Sequence, residues 1–144
     1  MDVLRKTVVI SAPVYAVWDT LTIPLFIQQW TYDTPVEIQT DWKVGSAIIT
    51  SGDLHGTPFS NSGKVLAFDP GSELCYSFLS SLSNLPNTDE SHCILRFNLK
   101  HEDNQTRLDL VISNFPDEVI RKHLELYWDP TLTLIKQQTE NRQM

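Results

Sequence analysis

Four histidines, two cysteines and three adjacent acidic pairs are the groups in this chain whose types could support covalent or acid–base chemistry. Nucleophilic catalysis needs a serine or cysteine beside an oriented base. His55 precedes Gly56 in a loop and His101 sits in a polar turn, so both are expected in solvent. His92 begins a strand and falls on the side opposite Leu95 and Phe97. His123 lies beside an apolar helical stripe and is the one candidate base for a cavity. Asp89-Glu90, Glu102-Asp103 and Asp117-Glu118 are neighbours in turns or at a helix start. Acid–base work across a substrate needs carboxyls that face each other, so these pairs read as solubility and capping groups. Asp33 and Glu37 follow Trp30, near the expected mouth of a cavity, and are the remaining acidic candidates.

Cys75 and Cys93 fall on strands joined by a hairpin, which permits a cross-strand pair only if the register puts both on one face. Two reduced thiols are the expected state in a cytoplasmic protein. No CxxC, HExxH or glycine-rich phosphate loop occurs, so no metal and no cofactor are expected. What remains for a site is aromatic. Trp30, Tyr76, Phe78, Phe97, Tyr127 and Trp128 could line an apolar pocket, with Tyr76, Tyr127 and Trp128 each adding a polar atom beside an apolar surface. Trp42 and Phe115 belong to the same set of rings.

The elements that must position these rings are legible from periodicity. Lys6 to Ser11 reads as a strand rich in Thr and Val. Pro13 suits a helix start, and Val14, Val17, Trp18 and Leu21 recur at helical spacing. Pro24 opens a second short helix carrying Ile27 and Trp30 inward. Strands follow at Val36–Thr40, Ser46–Ser51 and about Phe59–Phe68, with a loop expected over Gly52–Gly56. Asp69-Pro70-Gly71 is a turn, and Glu73–Ser80 places Leu74, Tyr76 and Phe78 on one face. Ser83–Glu90 reads as a polar hairpin loop between that strand and the next. Ser91–Lys100 puts Cys93, Leu95, Phe97 and Leu99 together, and Arg107–Ser113 turns Leu108, Leu110 and Ile112 inward. Short turns between consecutive strands imply an antiparallel meander. A helix closes the chain, with Val119, Ile120, His123, Leu124, Tyr127 and Trp128 at spacings of three and four. Pro130 is expected to kink that helix or restart it with Asp129 as cap, before Leu132, Leu134 and Ile135.

The 144 residues suit one domain spanning 1–144, large enough to bury a core unaided. Hydrophobic residues make up 41% and charged residues 20%, which is ordinary for a globular protein. Eleven basic against eighteen acidic residues give a net charge of −7, which disfavours nucleic acid and anionic lipid as partners. Neither a signal-peptide core nor an apolar run of membrane-spanning length occurs, so a cytoplasmic location is expected. The sequon Asn104-Gln105-Thr106 then reads as coincidence.

The run Val9-Ile10, Ala12-Pro13, Val17-Trp18, Leu21-Thr22, Pro24, Ile27 and Trp30 resembles the opening of START-like, or birch-pollen-allergen-like, domains. More narrowly it resembles the branch homologous to the activator of the heat-shock protein 90 ATPase, also grouped with polyketide cyclases. The order continues through Asp41-Trp42-Lys43-Val44-Gly45, Gly63-Lys64-Val65, Leu74 and Tyr76, Thr106-Arg107-Leu108, and Trp128 with Leu132. Gly45-Ser46 stands where the family tends to carry two glycines, and Tyr127 where a glycine often precedes the last tryptophan. The separate N-terminal domain of the two-domain co-chaperone has no counterpart, so ATPase activation is not expected.

The resemblance covers nearly the whole chain and implies an α+β helix-grip fold. In it, a curved antiparallel sheet of about six or seven strands wraps a long C-terminal helix, with two short helices after the first strand. The matching residues are apolar, turn-forming or aromatic, so the resemblance speaks for fold rather than activity. The expected function is binding of a small hydrophobic ligand between sheet and C-terminal helix, in a monomer or homodimer. Two alternatives stand beside it. A cyclase-like enzyme acting on an aromatic or polyketide substrate would use His123 or Glu37. A stress-related, chaperone-associated module would instead show an exposed apolar patch.

Overall fold

The computed structural model describes residues 3–31 and 35–143. Strand β1 (Leu4–Ile10) leads into helices α1 (Val14–Thr22) and α2 (Pro24–Thr31). Strands β2 (Val36–Gln39), β3 (Ala47–Leu54), β4 (Thr57–Asp69) and β5 (Glu73–Ser80) follow. Two 3₁₀ turns, Ser81–Ser83 and Asp89–Ser91, then precede β6 (Cys93–Glu102), β7 (Gln105–Ser113) and the long helix α3 (Glu118–Asn141). The seven strands form one sheet in the order β1-β7-β6-β5-β4-β3-β2, every neighbouring pair antiparallel. β1 therefore joins the meander at its last strand, which is the helix-grip arrangement that the sequence implies.

Two hairpins are longer and tighter than expected. His55 and Gly56 have φ of 53° and 92°, and Asp103 and Asn104 have φ of 49° and 66°. Two consecutive residues with positive φ make a turn whose twist matches the flanking strands. Pairing consequently reaches Leu54↔Thr57 and Glu102↔Gln105, and the loop expected over Gly52–Gly56 is mostly strand.

Curvature comes from β4. Its ladder with β5 pairs Ser62 with Leu79 and Val65 with Tyr76, then shifts by one residue at Leu66 before Ala67 meets Cys75. An extra residue on one strand bends it and raises the local twist. Just before that bulge, the Lys64 amide donates to Ser77 Oγ at 2.9 Å. At Gly63 the β5 backbone comes so close that a Cβ would lie 1.7 Å from the Ser77 carbonyl oxygen.

The inner face carries the alternating apolar residues of β6 and β7, and α3 packs over it against β1, α1 and α2. Asp117 caps α3 by accepting the Ile120 amide at 2.8 Å. The helix runs unbroken through Pro130, so it does not restart there with Asp129 as cap. Pro130 removes one donor to the carbonyl four residues back, but it and Leu126 both lie on the exposed side, where water can serve that carbonyl. Asp129 is no cap; its carboxylate accepts from Lys6 Nζ at 2.6 Å and ties α3 to β1. Val119, His123 and Leu134, which the periodicity places on the apolar stripe, are exposed on the outer side of the helix.

The far end of α3 is latched to α1. Thr20 Oγ1 and Thr139 Oγ1 are 2.6 Å apart in the interior, and Arg142 donates to Thr20 while its guanidinium lies 3.9 Å from the Phe26 ring centroid. Glu140 accepts from Lys136 at 2.6 Å and from the Ser11 amide at 2.8 Å. The Lys136 ammonium and, after it, the Ser11 amide hold its carboxyl below the usual glutamate range.

Candidate functional site

Two aromatic clusters fill the space between sheet and helices. In the smaller, Trp18 meets Phe68 edge-on at 5.2 Å, and Phe68 stacks on Trp42 at 5.5 Å. Trp42 holds a left-handed φ of 60°, a costly conformation for a bulky residue. Its indole Nε1 donates to the Thr22 carbonyl at 3.0 Å, and that bond together with the stack retains it there.

The larger cluster contains five of the six expected site residues. Tyr76 of β5 lies 6.1 Å from Phe97 of β6, and Phe97 lies 5.8 Å from Trp128 of α3. Trp128 lies 6.0 Å from Trp30 of α2 and 5.3 Å from Tyr127. Edge-to-face and tilted pairs such as these add about 0.5–1.5 kcal/mol each beyond area burial. Phe78, the sixth residue, is on the same face two positions after Tyr76 and packs against this core. Register brings them together: Phe97 pairs with Leu74, Tyr76 with Leu95 and Phe78 with Cys93, all inward.

Burial divides the set. Phe97 is 0% exposed, and Trp30 and Trp128 are each 4% exposed. Tyr76, Phe78 and Tyr127 are half-buried. The first three rings form an enclosed floor and the second three its half-buried margin; Ile38 of β2 and Ile120 of α3 are likewise half-buried against the same core. The Tyr127 hydroxyl donates to the Thr31 carbonyl at 3.2 Å, which ties this margin of α3 to the end of α2.

The indole donors are used unequally. Trp30 Nε1 donates to the Thr20 carbonyl at 2.9 Å and Trp42 Nε1 to Thr22. Trp128 Nε1 is buried and has no hydrogen-bond partner among the described residues. A buried donor left without an acceptor costs about 1–3 kcal/mol, so its retention in the aromatic floor needs an explanation.

The remaining candidates fall elsewhere. His123 is exposed, with its ring 6.3 Å from Tyr127 on the outer side of the cluster, so the expected cavity base faces solvent. Glu37 is exposed on β2, and Asp33 lies outside the described residues. His92 is buried just before the start of β6, where its Nδ1 donates to the Thr88 carbonyl at 2.7 Å. Both cysteines are free. Cys93 faces inward opposite Phe78, whereas Cys75 pairs with Arg96 on the other face, so register rules out a disulfide. Burial pushes the Cys93 thiol up to about 11, which keeps it protonated and a poor nucleophile at neutral pH.

Sequence reasoning missed a polar strip. Thr50, Asn61 and Ser80 sit directly across from one another on β3, β4 and β5, facing inward, with Asn61 buried. The alternation of Phe59, Asn61, Gly63 and Val65 carried that signal. On the outer face are two depressions, of about 220 and 280 Å³. The first is bordered by Arg5, Thr7, Asn98, Arg107 and Asp109, and the second by Ser60, Ser62, Leu79, Leu85 and Asn87. Among the described residues no group of three or more His, Cys, Asp or Glu could hold a metal ion, and no helix is long and apolar enough to cross a membrane.

A curved seven-stranded sheet gripping a C-terminal helix over an aromatic floor defines a START-like helix-grip domain. The family model described as activator of Hsp90 ATPase homolog 1-like protein matches residues 11–140, and the chain belongs to that family. No curated protein matches. Among solved structures, the protein ChR145 from Cytophaga hutchinsonii is 28% identical with a TM-score of 0.83, over 99% of this chain and 96% of that one. The Aha1 dimer from Colwellia psychrerythraea is 22% identical with a TM-score of 0.76, over 97% of each chain. CalU16 from Micromonospora echinospora is 21% identical with a TM-score of 0.70, over 99% of this chain and 77% of that one. The latter two likenesses concern the fold.

Proposed function

We propose that this domain binds a small hydrophobic ligand on the inner face of the sheet. The ligand lies against Tyr76, Phe78 and Tyr127, with Trp30, Phe97 and Trp128 behind them. The observation that carries this reading is the burial step across one continuous aromatic cluster, from fully enclosed rings to half-buried ones at its margin. Aromatic surface left partly in water beside a rigid floor gains free energy when an apolar molecule covers it, at about 25 cal/mol per Å² before association costs. The inward polar strip of Thr50, Asn61 and Ser80 supplies the few oriented groups that such sites use for specificity.

Delipidated protein titrated with farnesol, palmitate and 2-naphthol tests it. At least one should quench the tryptophan emission and raise the melting temperature by a few degrees at saturation. No response to any of them, in a protein that gives well-dispersed NMR spectra, removes the ligand reading.

A second reading has its own observation. Val119 (78% exposed), Leu126 (63%), Pro130 and Leu134 (40%) recur along one outer face of α3. Apolar side chains aligned on an exposed helix face favour a protein partner over scattered surface exposure. A second copy of this chain is the occupant proposed here, in keeping with the dimer described for the Colwellia protein. Light scattering should give a dimer for the native chain, and Leu126→Asp should weaken association at least about tenfold while melting like the native chain at dilutions where both are monomeric. A monomeric native chain overturns self-association, and capture of the ninety-kilodalton chaperone through the same face would reassign the surface to that partner.

A further inference from the structure

We infer that Trp128 is a specificity-determining donor: its indole N–H selects apolar ligands that present a hydrogen-bond acceptor oxygen over pure hydrocarbons of the same shape. This rests on the ligand-binding reading above and names the chemistry of the ligand. Three observations converge. Trp128 is more than nine-tenths buried, and its Nε1 has no acceptor among the described residues, although the indoles of Trp30 and Trp42 both donate to backbone carbonyls. Trp128 also touches Tyr127, which stands at the half-buried margin, so its ring joins the floor to the proposed entry side. Finally, its ring neighbours offer it little: Phe97 has no acceptor, the indole of Trp30 is a donor, and the Tyr127 hydroxyl, whose hydrogen goes to the Thr31 carbonyl, makes no hydrogen bond with the Trp128 indole. A carbonyl, ether or hydroxyl oxygen on the ligand satisfies this donor. A hydrocarbon leaves it unpaired, and an ammonium group, which has no acceptor, is rejected.

Acetophenone and α-methylstyrene provide the test, since they differ only in replacing the carbonyl oxygen by a methylene of similar shape. Both are titrated into the native protein and into Trp128→Phe, with binding followed by NMR. In the native protein the ratio of the two affinities should favour the ketone by roughly three- to tenfold more than it does in the variant, the margin of one hydrogen bond. Acetophenone, but not α-methylstyrene, should also move the Trp128 indole proton downfield. That second measurement uses the native protein alone and stands even if the variant folds poorly.

If both probes shift the inner-face resonances equally and leave the Trp128 indole unmoved, the donor role is overturned while ligand binding stands. The donor role is overturned as well if the indole proton resonates upfield throughout, already satisfied by a ring face. If neither probe perturbs any inner-face resonance up to its solubility limit, the binding reading itself fails and takes this inference with it.

Discussion

Gly63→Ala should leave little folded protein at 37 °C, with a stability loss on the order of 3 kcal/mol or more in denaturant titrations. The reason is steric rather than conformational. The added methyl would stand 1.7 Å from the Ser77 carbonyl oxygen and 2.5 Å from its carbon, both of them backbone atoms that no rotamer change can move aside. β4 and β5 must separate at the point where the Lys64 amide bonds Ser77 Oγ, next to the bulge that curves the sheet. Gly45→Ala is the informative control. Its φ of 92° penalises any side chain, but no atom lies within 4 Å of the added Cβ, so a cost of only about 1 kcal/mol is expected. Equal losses for the two variants, measured by urea titration followed by circular dichroism, would contradict the close-approach account.

Phe97→Ala is expected to cost about 3–5 kcal/mol, the upper range for large-to-small changes in a core. Phe97 has no accessible surface and touches both Tyr76 and Trp128, so its loss empties the centre of the aromatic floor. The sheet and helix that frame it are held by their own hydrogen bonds and by the Lys6–Asp129 contact, which limits collapse into the void. An apolar void framed by rings stays dry and accepts a small aromatic guest. Benzene should therefore raise the melting temperature of Phe97→Ala and leave that of the native protein nearly unchanged. A loss under about 1 kcal/mol, or equal stabilisation of both proteins by benzene, would show that the native floor is already open.

The two variants probe different layers of the fold. Gly63 governs how far the sheet bends, and Phe97 occupies the space that the bend encloses. Much of the strand layer is legible in the sequence. Alternation in Leu74-Tyr76-Phe78 and Cys93-Leu95-Phe97-Leu99 places these residues on one face, and the structure puts them there. Pro24 marks the start of α2 correctly. The helical stripe of α3 is narrower than its spacing implies: Val119, His123 and Leu134 share the spacing but face solvent. Spacings of three and four recur around a helix, and periodicity alone does not say how wide the buried sector is. The expected break at Pro130 does not occur because a lost hydrogen bond is cheap where water replaces it.

By itself, then, the sequence determined the order and type of the elements, the face shared by the alternating apolar residues of β5, β6 and β7, and the family through its apolar and turn residues. Those properties follow from local periodicity and backbone stereochemistry, which need no knowledge of distant residues. Only the tertiary structure decided which rings are sealed and which are half-buried, that Cys75 and Cys93 face apart, and that His123 looks outward. Of the chain's four tryptophans, it alone distinguished Trp30 and Trp42, whose indoles hold the backbone, from Trp128, whose indole has no acceptor among the described residues. Whether a buried donor is satisfied depends on every atom within hydrogen-bond reach, and the rings packed on Trp128 come from α2, β6 and α3, segments far apart in the chain.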